Sequence, residues 1–183
     1  MKKPACCFTG HRPQKFYFGY DEEHEGCIQL KAVLEREIGL LLRQGIVTYY
    51  CGMALGTDLW CAEILQSFRQ VFPQIKLIAV IPFEGQANRW SAEYRERYFH
   101  ILAHAQEEIL LHRHYTKRCM MERNRYMVDH CTHLIGVYNG SPGGTQNTLE
   151  YARKQRLCLT VIHPRTLEVA RPPSAGLKLL KPT

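Results

Sequence analysis

A chain of 183 residues, 45% hydrophobic and 22% charged, has ordinary globular composition. It is long enough for one domain with a real core and too apolar for intrinsic disorder. The formal net charge of +7 suits an anionic ligand such as a nucleotide and keeps nucleic acid open as an alternative partner. No apolar run approaches membrane-spanning length, and no apolar segment of signal-peptide type follows Met1-Lys-Lys-Pro4. The expectation is a cytoplasmic protein with no membrane partner; a homo-oligomer is compatible with it. Eight cysteines stand at positions 6, 7, 27, 51, 61, 119, 131 and 158, none in a C-x-x-C pair. That spacing argues against a zinc ribbon or thioredoxin-type site and predicts reduced thiols that act as small buried hydrophobes.

In chain order, Ala5-Cys-Cys-Phe8 reads as a short apolar strand, followed by the loop Thr9-Gly-His-Arg-Pro13. Arg12 suits bidentate contact with a phosphate, His11 can donate to an anion or act as an acid, and Gly10 stands beside them. Residues 21–43 carry Ile28, Leu30, Val33, Leu34, Ile38, Leu41 and Leu42 at helical spacing, with Gly45 as the C-terminal stop. Residues 46–50 form a β-branched and aromatic second strand. It opens into Cys51-Gly-Met-Ala-Leu-Gly-Thr-Asp58 and a helix to about Val71.

This segment has neither the G-x-G-x-x-G spacing of dinucleotide sites nor the Gly-Lys-Ser/Thr of a P-loop. It is nonetheless a strand, a glycine turn and a helix start. Gly52, Gly56 and Thr57 are therefore candidates for a phosphate or ribose site, with Thr57 or Asp58 as helix cap and Asp58 as an acceptor for a ribose hydroxyl.

Residues 75–81 are a third strand, apolar enough to be buried on both faces. The loop 82–89 brings Arg89 into the candidate set. Trp90, at the start of a helix to Ala105, is either a base-stacking group or a core residue. Residues 108–111 read as a fourth strand, 117–131 as a helix and 134–138 as a fifth strand. The turn Asn139-Gly-Ser-Pro-Gly-Gly144 follows, then a helix over 145–155 with Thr145 as its cap. Gly140, Gly143, Gly144 and Thr145 thus form the most concentrated candidate anion site. Residues 157–162 are a sixth strand, and 164–183 are expected to be an extended C-terminal arm beyond a domain of residues 1–163.

About six short strands alternating with helices predict an α/β fold, a single doubly wound and mainly parallel sheet. Every candidate loop directly follows a strand, so all should lie along the carboxyl edge of that sheet. His100 and His104 are spaced i, i+4 on a helix but lack a third ligand, so no metal site and no required cofactor are expected. No G-x-S-x-G element is present.

Met120-Met-Glu-Arg-Asn-Arg-Tyr-Met127 and Pro142-Gly-Gly-Thr-Gln-Asn-Thr-Leu-Glu150 resemble the two signature motifs of the Lonely Guy (LOG) phosphoribohydrolases. Thr9-Gly-His-Arg-Pro13 together with Gly52-Met-Ala-Leu-Gly-Thr-Asp58 is similar to YpsA-like bacterial proteins. Both groups belong to the SLOG superfamily, which also includes DprA. The resemblance runs from the first strand to the sixth. It implies a Rossmann-like fold whose glycine loops hold a nucleotide or nucleotide-derived ligand, with a sensor role for a YpsA-like protein. The LOG likeness implies instead an N-glycosidase acting on nucleoside monophosphates, with Arg123 and Glu150 at the positions of its catalytic Arg and Glu. A nucleic-acid binder of the DprA kind is a third reading, favoured only by the net charge. Three positions depart from the LOG pattern: Asn124, Gln146 and Asn147.

Overall fold

The computed structural model describes residues 3–171. Strand and helix alternate: β1 (Cys6–Gly10), α1 (Glu25–Arg43), β2 (Thr48–Cys51), α2 (Thr57–Arg69), β3 (Lys76–Ile81), α3 (Ala92–Ala103) and β4 (Glu107–Leu110). The second half adds α4 (Cys119–His130), β5 (His133–Val137), α5 (Gly144–Lys154), β6 (Cys158–Ile162) and β7 (Val169–Ala170). The sheet has the order β4-β3-β2-β1-β5-β6-β7, and every pairing is parallel except β6 with β7.

This order follows from handed connections. From β1 the chain steps outward to β2, β3 and β4, and right-handed crossovers place α1, α2 and α3 on one face. It then returns through α4 to β5, on the other side of β1, so α4 and α5 cover the opposite face. The core divides accordingly. Leu30, Leu34 and Ile38 of α1 and Leu59, Trp60 and Leu65 of α2 pack with Leu77, Ala79 and Ile81 of β3. Ile78 and Val80 of β3 point the other way, into a cluster with Met127 and Val128 of α4 and Leu149 and Ala152 of α5. Burying each large aliphatic side chain contributes about 1.5–3 kcal/mol, which the near-continuous apolar run of β3 exploits on both faces.

Element ends follow local chemistry. Helix α1 starts at Glu25, later than the periodicity suggests, because Asp21 Oδ1 accepts from the backbone N–H of Glu23 and of His24 in a turn. His24 Nδ1 then caps the helix by accepting from Gly26 N at 3.0 Å. The helix ends at Gly45, which has φ +84°; Gly45 N donates to Leu42 O and Ile46 N to Leu41 O, a Schellman closure.

The sheet has seven strands where the sequence predicts six. A two-residue strand has no alternation to read. Here β7 forms because a turn at residues 164–166 folds the chain back, His163 N donating to Glu168 O at 2.9 Å. Leu167 and Val169 then rest on the core. The expected C-terminal arm is therefore described only as far as Arg171, which pairs with the buried Glu37 carboxylate; residues 172–183 lie outside the described residues. All eight cysteines are free thiols, and all but Cys158 are buried. Among the described residues no helix is long and apolar enough to cross a membrane.

Strand order reverses between β1 and β5, whose carboxyl ends lie side by side in register from Cys6↔His133 to Gly10↔Val137. In open α/β sheets this is where a crevice for a ligand opens.

Candidate functional site

A cleft of about 370 Å³ occupies that place. The end of β1 contributes Gly10 to its lining, the segment after it His11, Arg12 and Lys15, and the start of α5 Gly144 and Thr145. Asp58 from α2 and Arg123 and Asn124 from α4 close it.

Helix α5 begins without a side-chain cap. Its N-cap is Gly143, at φ +144°, a conformation open to glycine. Thr145, expected as the cap, is instead the second residue of the helix and a buried part of the cleft wall. A side chain added at Gly144 would meet nothing within 4 Å, and Gly144 is exposed at the cleft. The first N–H groups of α5 are thus left to the cleft together with the positive end of the helix dipole. Arg12 and Lys15 supply full positive charges on the same wall. Lys15 Nζ also donates to Pro142 O at 3.1 Å and so ties the glycine turn to the β1 loop. Gly140, at φ +89°, shapes that turn but does not line the cleft.

His11 is 2% exposed and bridges the β1 and β5 loops, its Nε2 lying 2.8 Å from Asn139 Oδ1. Burial lowers its pKa and so favours the neutral ring, against the opposing pull of the Asn139 hydrogen bond.

The loop from β2 to α2 is packed differently. A side chain at Gly10 would collide with the buried Thr57, 2.3 Å from its Oγ1, and one at Gly52 with the Arg123 guanidinium at 2.2 Å. At Gly56, φ +85°, it would lie 2.9 Å from His11 O. Thr57 Oγ1 donates to His11 O at 3.2 Å, which clamps this loop to the first. Neither Thr57 nor Asp58 caps α2: Gly56 is its N-cap, and Asp58 Oδ2 accepts from Ala54 N at 3.2 Å. Between the glycines, Met53 is fully buried with φ +56°. Gln86 holds it there, its Nε2 donating to Met53 O at 2.6 Å and to Gly52 O at 3.2 Å.

Arg123 is 4% exposed. Its Nη1 donates to Gly52 O, its Nε donates to Asn124 Oδ1 at 2.8 Å, and Asp58 Oδ2 lies 4.0 Å away. Burial pushes the Asp58 carboxyl up and the Arg123 guanidinium down, and each charge opposes the shift of the other. Glu150 does not join them. It accepts from Gln146 Nε2 at 3.0 Å and lines an adjoining groove of about 440 Å³ between α4 and α5, with Lys117, Arg125 and Lys154; Gly144, Met120 and Asn124 line both the groove and the cleft. Between the two sites, Asn124 Nδ2 donates to Thr148 Oγ1 at 2.9 Å and joins the helices.

Arg89 also lies outside the main cleft. With Trp90 it lines an adjoining recess of about 540 Å³, whose walls include Tyr20, Tyr94, Leu55 and Gln86. Arg12, Gln14 and Met120 line both spaces. Lys15, Gln86, Tyr20 and Tyr94 escaped the sequence reading because none belongs to a glycine turn between a strand and a helix start. Only the placement of Lys15 and Gln86 in loops after strands pointed to this edge.

The family model YpsA, described as the YspA SLOG family, matches residues 6–167. The chain belongs to this family. It is 34% identical over 144 residues to the SPbeta prophage-derived protein YoqJ of Bacillus subtilis, covering 70% of this chain and 81% of that protein. A UPF0398 protein of Bacillus licheniformis is 30% identical over 155 residues, with 81% and 84% covered. Among solved structures, DNA processing protein A (DprA) of Streptococcus pneumoniae superposes with a TM-score of 0.57 at 18% identity, over 87% of this chain. The chain spans 50% of the length of that DprA chain. DprA of Helicobacter pylori, solved in a study of its single-stranded DNA binding mode, gives a TM-score of 0.57 at 19% identity and covers 92% of this chain and 69% of that one. Family membership and these likenesses agree with the Rossmann-like sheet described above; at such identities the DprA structures speak to the fold.

Proposed function

We propose that the protein binds a small nucleotide or nucleotide-derived molecule, with its phosphate at the N-terminus of α5, and acts as a binding or sensing domain. The observation that carries this reading is the open Gly144 at an uncapped helix start, in one cleft with Arg12 and Lys15. An anion there takes backbone N–H groups, the helix dipole and two side-chain charges at once. No cofactor is needed for such binding.

Two observations favour a binder over a LOG-like N-glycosidase. Arg123, on the cleft wall, is spent on Gly52 O and Asp58, and Glu150 lines the adjoining groove beyond Gly144 and does not line the cleft itself. A carboxylate that stabilises an oxocarbenium-like ribose must sit at the sugar. Release of free base from AMP by wild-type protein would overturn this preference.

The test of binding is calorimetric titration with nucleotides. Wild type is expected to bind, and Gly144→Val to bind at least tenfold more weakly while remaining folded, because the new side chain fills the anion's place. Unchanged affinity in folded Gly144→Val would refute the site.

A nucleic-acid ligand is the second reading, favoured by the net charge of +7 and by the fold shared with a single-stranded DNA binder. It predicts affinity for oligonucleotides that falls steeply with salt, whereas a single bound mononucleotide gives a shallow slope.

A further inference from the structure

We propose that the recess beside the cleft is the base subsite of the same ligand, and that it selects a base carrying an exocyclic amine. This rests on the phosphate reading above for the ligand's other end. Three aromatic side chains, Tyr20, Trp90 and Tyr94, stand around the recess, with Tyr20 and Tyr94 ring centroids 6.0 Å apart. Base stacking on such rings is sequence-tolerant and strong, because every base has a π-face. Aromatic walls alone would not choose among bases.

Gln86 supplies the choice. It is 7% exposed and lines the recess. Its Nε2 is spent on two backbone carbonyls, Gly52 O and Met53 O. An amide nitrogen must face those acceptors, so the orientation of the amide is fixed and Oε1 is held as an acceptor. Oε1 is buried and has no hydrogen-bond partner. A buried acceptor without a donor is costly, and a ligand that brings an N–H recovers that cost. For an incoming amine to reach the buried Oε1, neighbouring side chains of the recess must give way, and the 49% exposed Tyr20 is one that lines it.

The two spaces meet at Arg12. Its exposed guanidinium lines both, and its Nη2 lies 3.9 Å from Met120 Sδ at the junction. A nucleotide laid across Arg12 places its phosphate at Gly144 and its base among the tyrosines. The recess, at about 540 Å³, is of ordinary ligand-pocket size, so a ring system and sugar fit within it. Adenine, cytosine and guanine carry an exocyclic amine; hypoxanthine and uracil have a carbonyl where adenine and cytosine have theirs, which would set one acceptor against another.

The test is calorimetric titration of the full chain with AMP, IMP and ribose 5-phosphate, on wild type and on Tyr94→Ala, Tyr20→Ala and Gly144→Val. Wild type is expected to bind AMP about tenfold or more tightly than IMP. Tyr94→Ala, and the exposed Tyr20→Ala if the former fails to fold, should weaken AMP by about tenfold and leave ribose 5-phosphate unchanged. Equal affinity for AMP and IMP, or tyrosine variants that leave AMP untouched, overturns the base subsite; the phosphate reading survives if Gly144→Val still abolishes binding. AMP binding that persists in folded Gly144→Val defeats the phosphate reading itself. Binding by none of the three probes overturns both.

Discussion

The β2–α2 loop and the β5–α5 loop read alike in the sequence, each a strand, a glycine turn and a helix start, yet Gly52 and Gly56 in the first and Gly144 in the second are used in opposite ways. In the first, space that a side chain would occupy is already filled by protein: Arg123 against Gly52, His11 O against Gly56. In the second, Gly144 faces open space at the head of a helix. Glycine after a strand therefore has two physical meanings. It can admit another part of the chain, or it can leave room for a ligand. Only the packed structure tells them apart, and stability and binding measurements should separate along the same line.

The largest expected effect is at Gly52. A methyl there displaces the Arg123 guanidinium from Gly52 O and separates it from Asp58, leaving charges buried in the interior. Gly52→Ala should lose about 3–5 kcal/mol of stability, as when one partner of a buried ion pair is removed. Urea unfolding measures it directly. A loss below about 1 kcal/mol would mean that Arg123 repacks at little cost, and the loop could then be counted with the second.

A comparable effect comes from acid, at the ion network behind the aromatic recess. Arg97 donates to both Glu22 and Glu63, and Glu22 also accepts from Lys31 at 2.6 Å. Burial opposes ionisation of Glu22, but the hydrogen bonds from Arg97 and Lys31 outweigh it and hold its carboxyl down at about 2. A depressed carboxyl stabilises the fold fully above its unfolded pKa, and this contribution is lost as pH falls from about 4.5 toward about 2. The loss should be on the order of 2–3 kcal/mol, discounted for partial exposure. Unfolding free energies measured across that range should decline more steeply for wild type than for Glu22→Gln. Parallel slopes would remove Glu22 from the account.

How much of this was legible beforehand depends on the kind of physics involved. The sheet could be read because apolar runs such as residues 75–81 and the periodic face of α1 are local signals repeated along the chain. The convergence of loops at the carboxyl edge followed from parallel topology alone. β7 escaped because two residues carry no period. The inward turn of Arg123 escaped because its cause, the absent side chain at Gly52, lies 71 residues away. The distance between Arg123 and Glu150 escaped for a related reason: motif spacing places residues on helices but not on faces. Gln86 could be placed in the loop after β3 but its role could not be read, since its hydrogen bonds reach carbonyls more than 30 residues earlier.

At Gly144 the contrast predicts almost no cost in stability. The position is the first of α5 and has open space around it. Gly144→Ala should stay within about 1 kcal/mol of wild type, on the stabilising side, because alanine restricts the unfolded chain. Thermal unfolding of this variant beside Gly52→Ala sets the two loops against each other in one experiment. Equal destabilisation of both would erase the distinction.

The smallest effect is expected at Glu150, and it sharpens the boundary of the site. Glu150 sits on the helix that the open glycine turn begins, and the LOG resemblance places a catalytic carboxylate at its position. In the structure its side chain pairs with Gln146 on its own helix, and it lines the groove with Lys117, Arg125 and Lys154 instead of the cleft with Arg12 and Lys15. A half-exposed i, i+4 hydrogen bond on a helix surface contributes only about 0.2–0.5 kcal/mol. Glu150→Gln should therefore change stability by less than about 0.5 kcal/mol. Removing its negative charge should alter affinity for AMP less than twofold, because Gln146, the neighbouring Lys117, Arg125 and Lys154, and solvent together screen it from an anion at Gly144. A tenfold gain in affinity would show that Glu150 faces the phosphate after all. A tenfold loss would show that it holds the ligand's sugar, and the glycosidase reading would then regain its carboxylate.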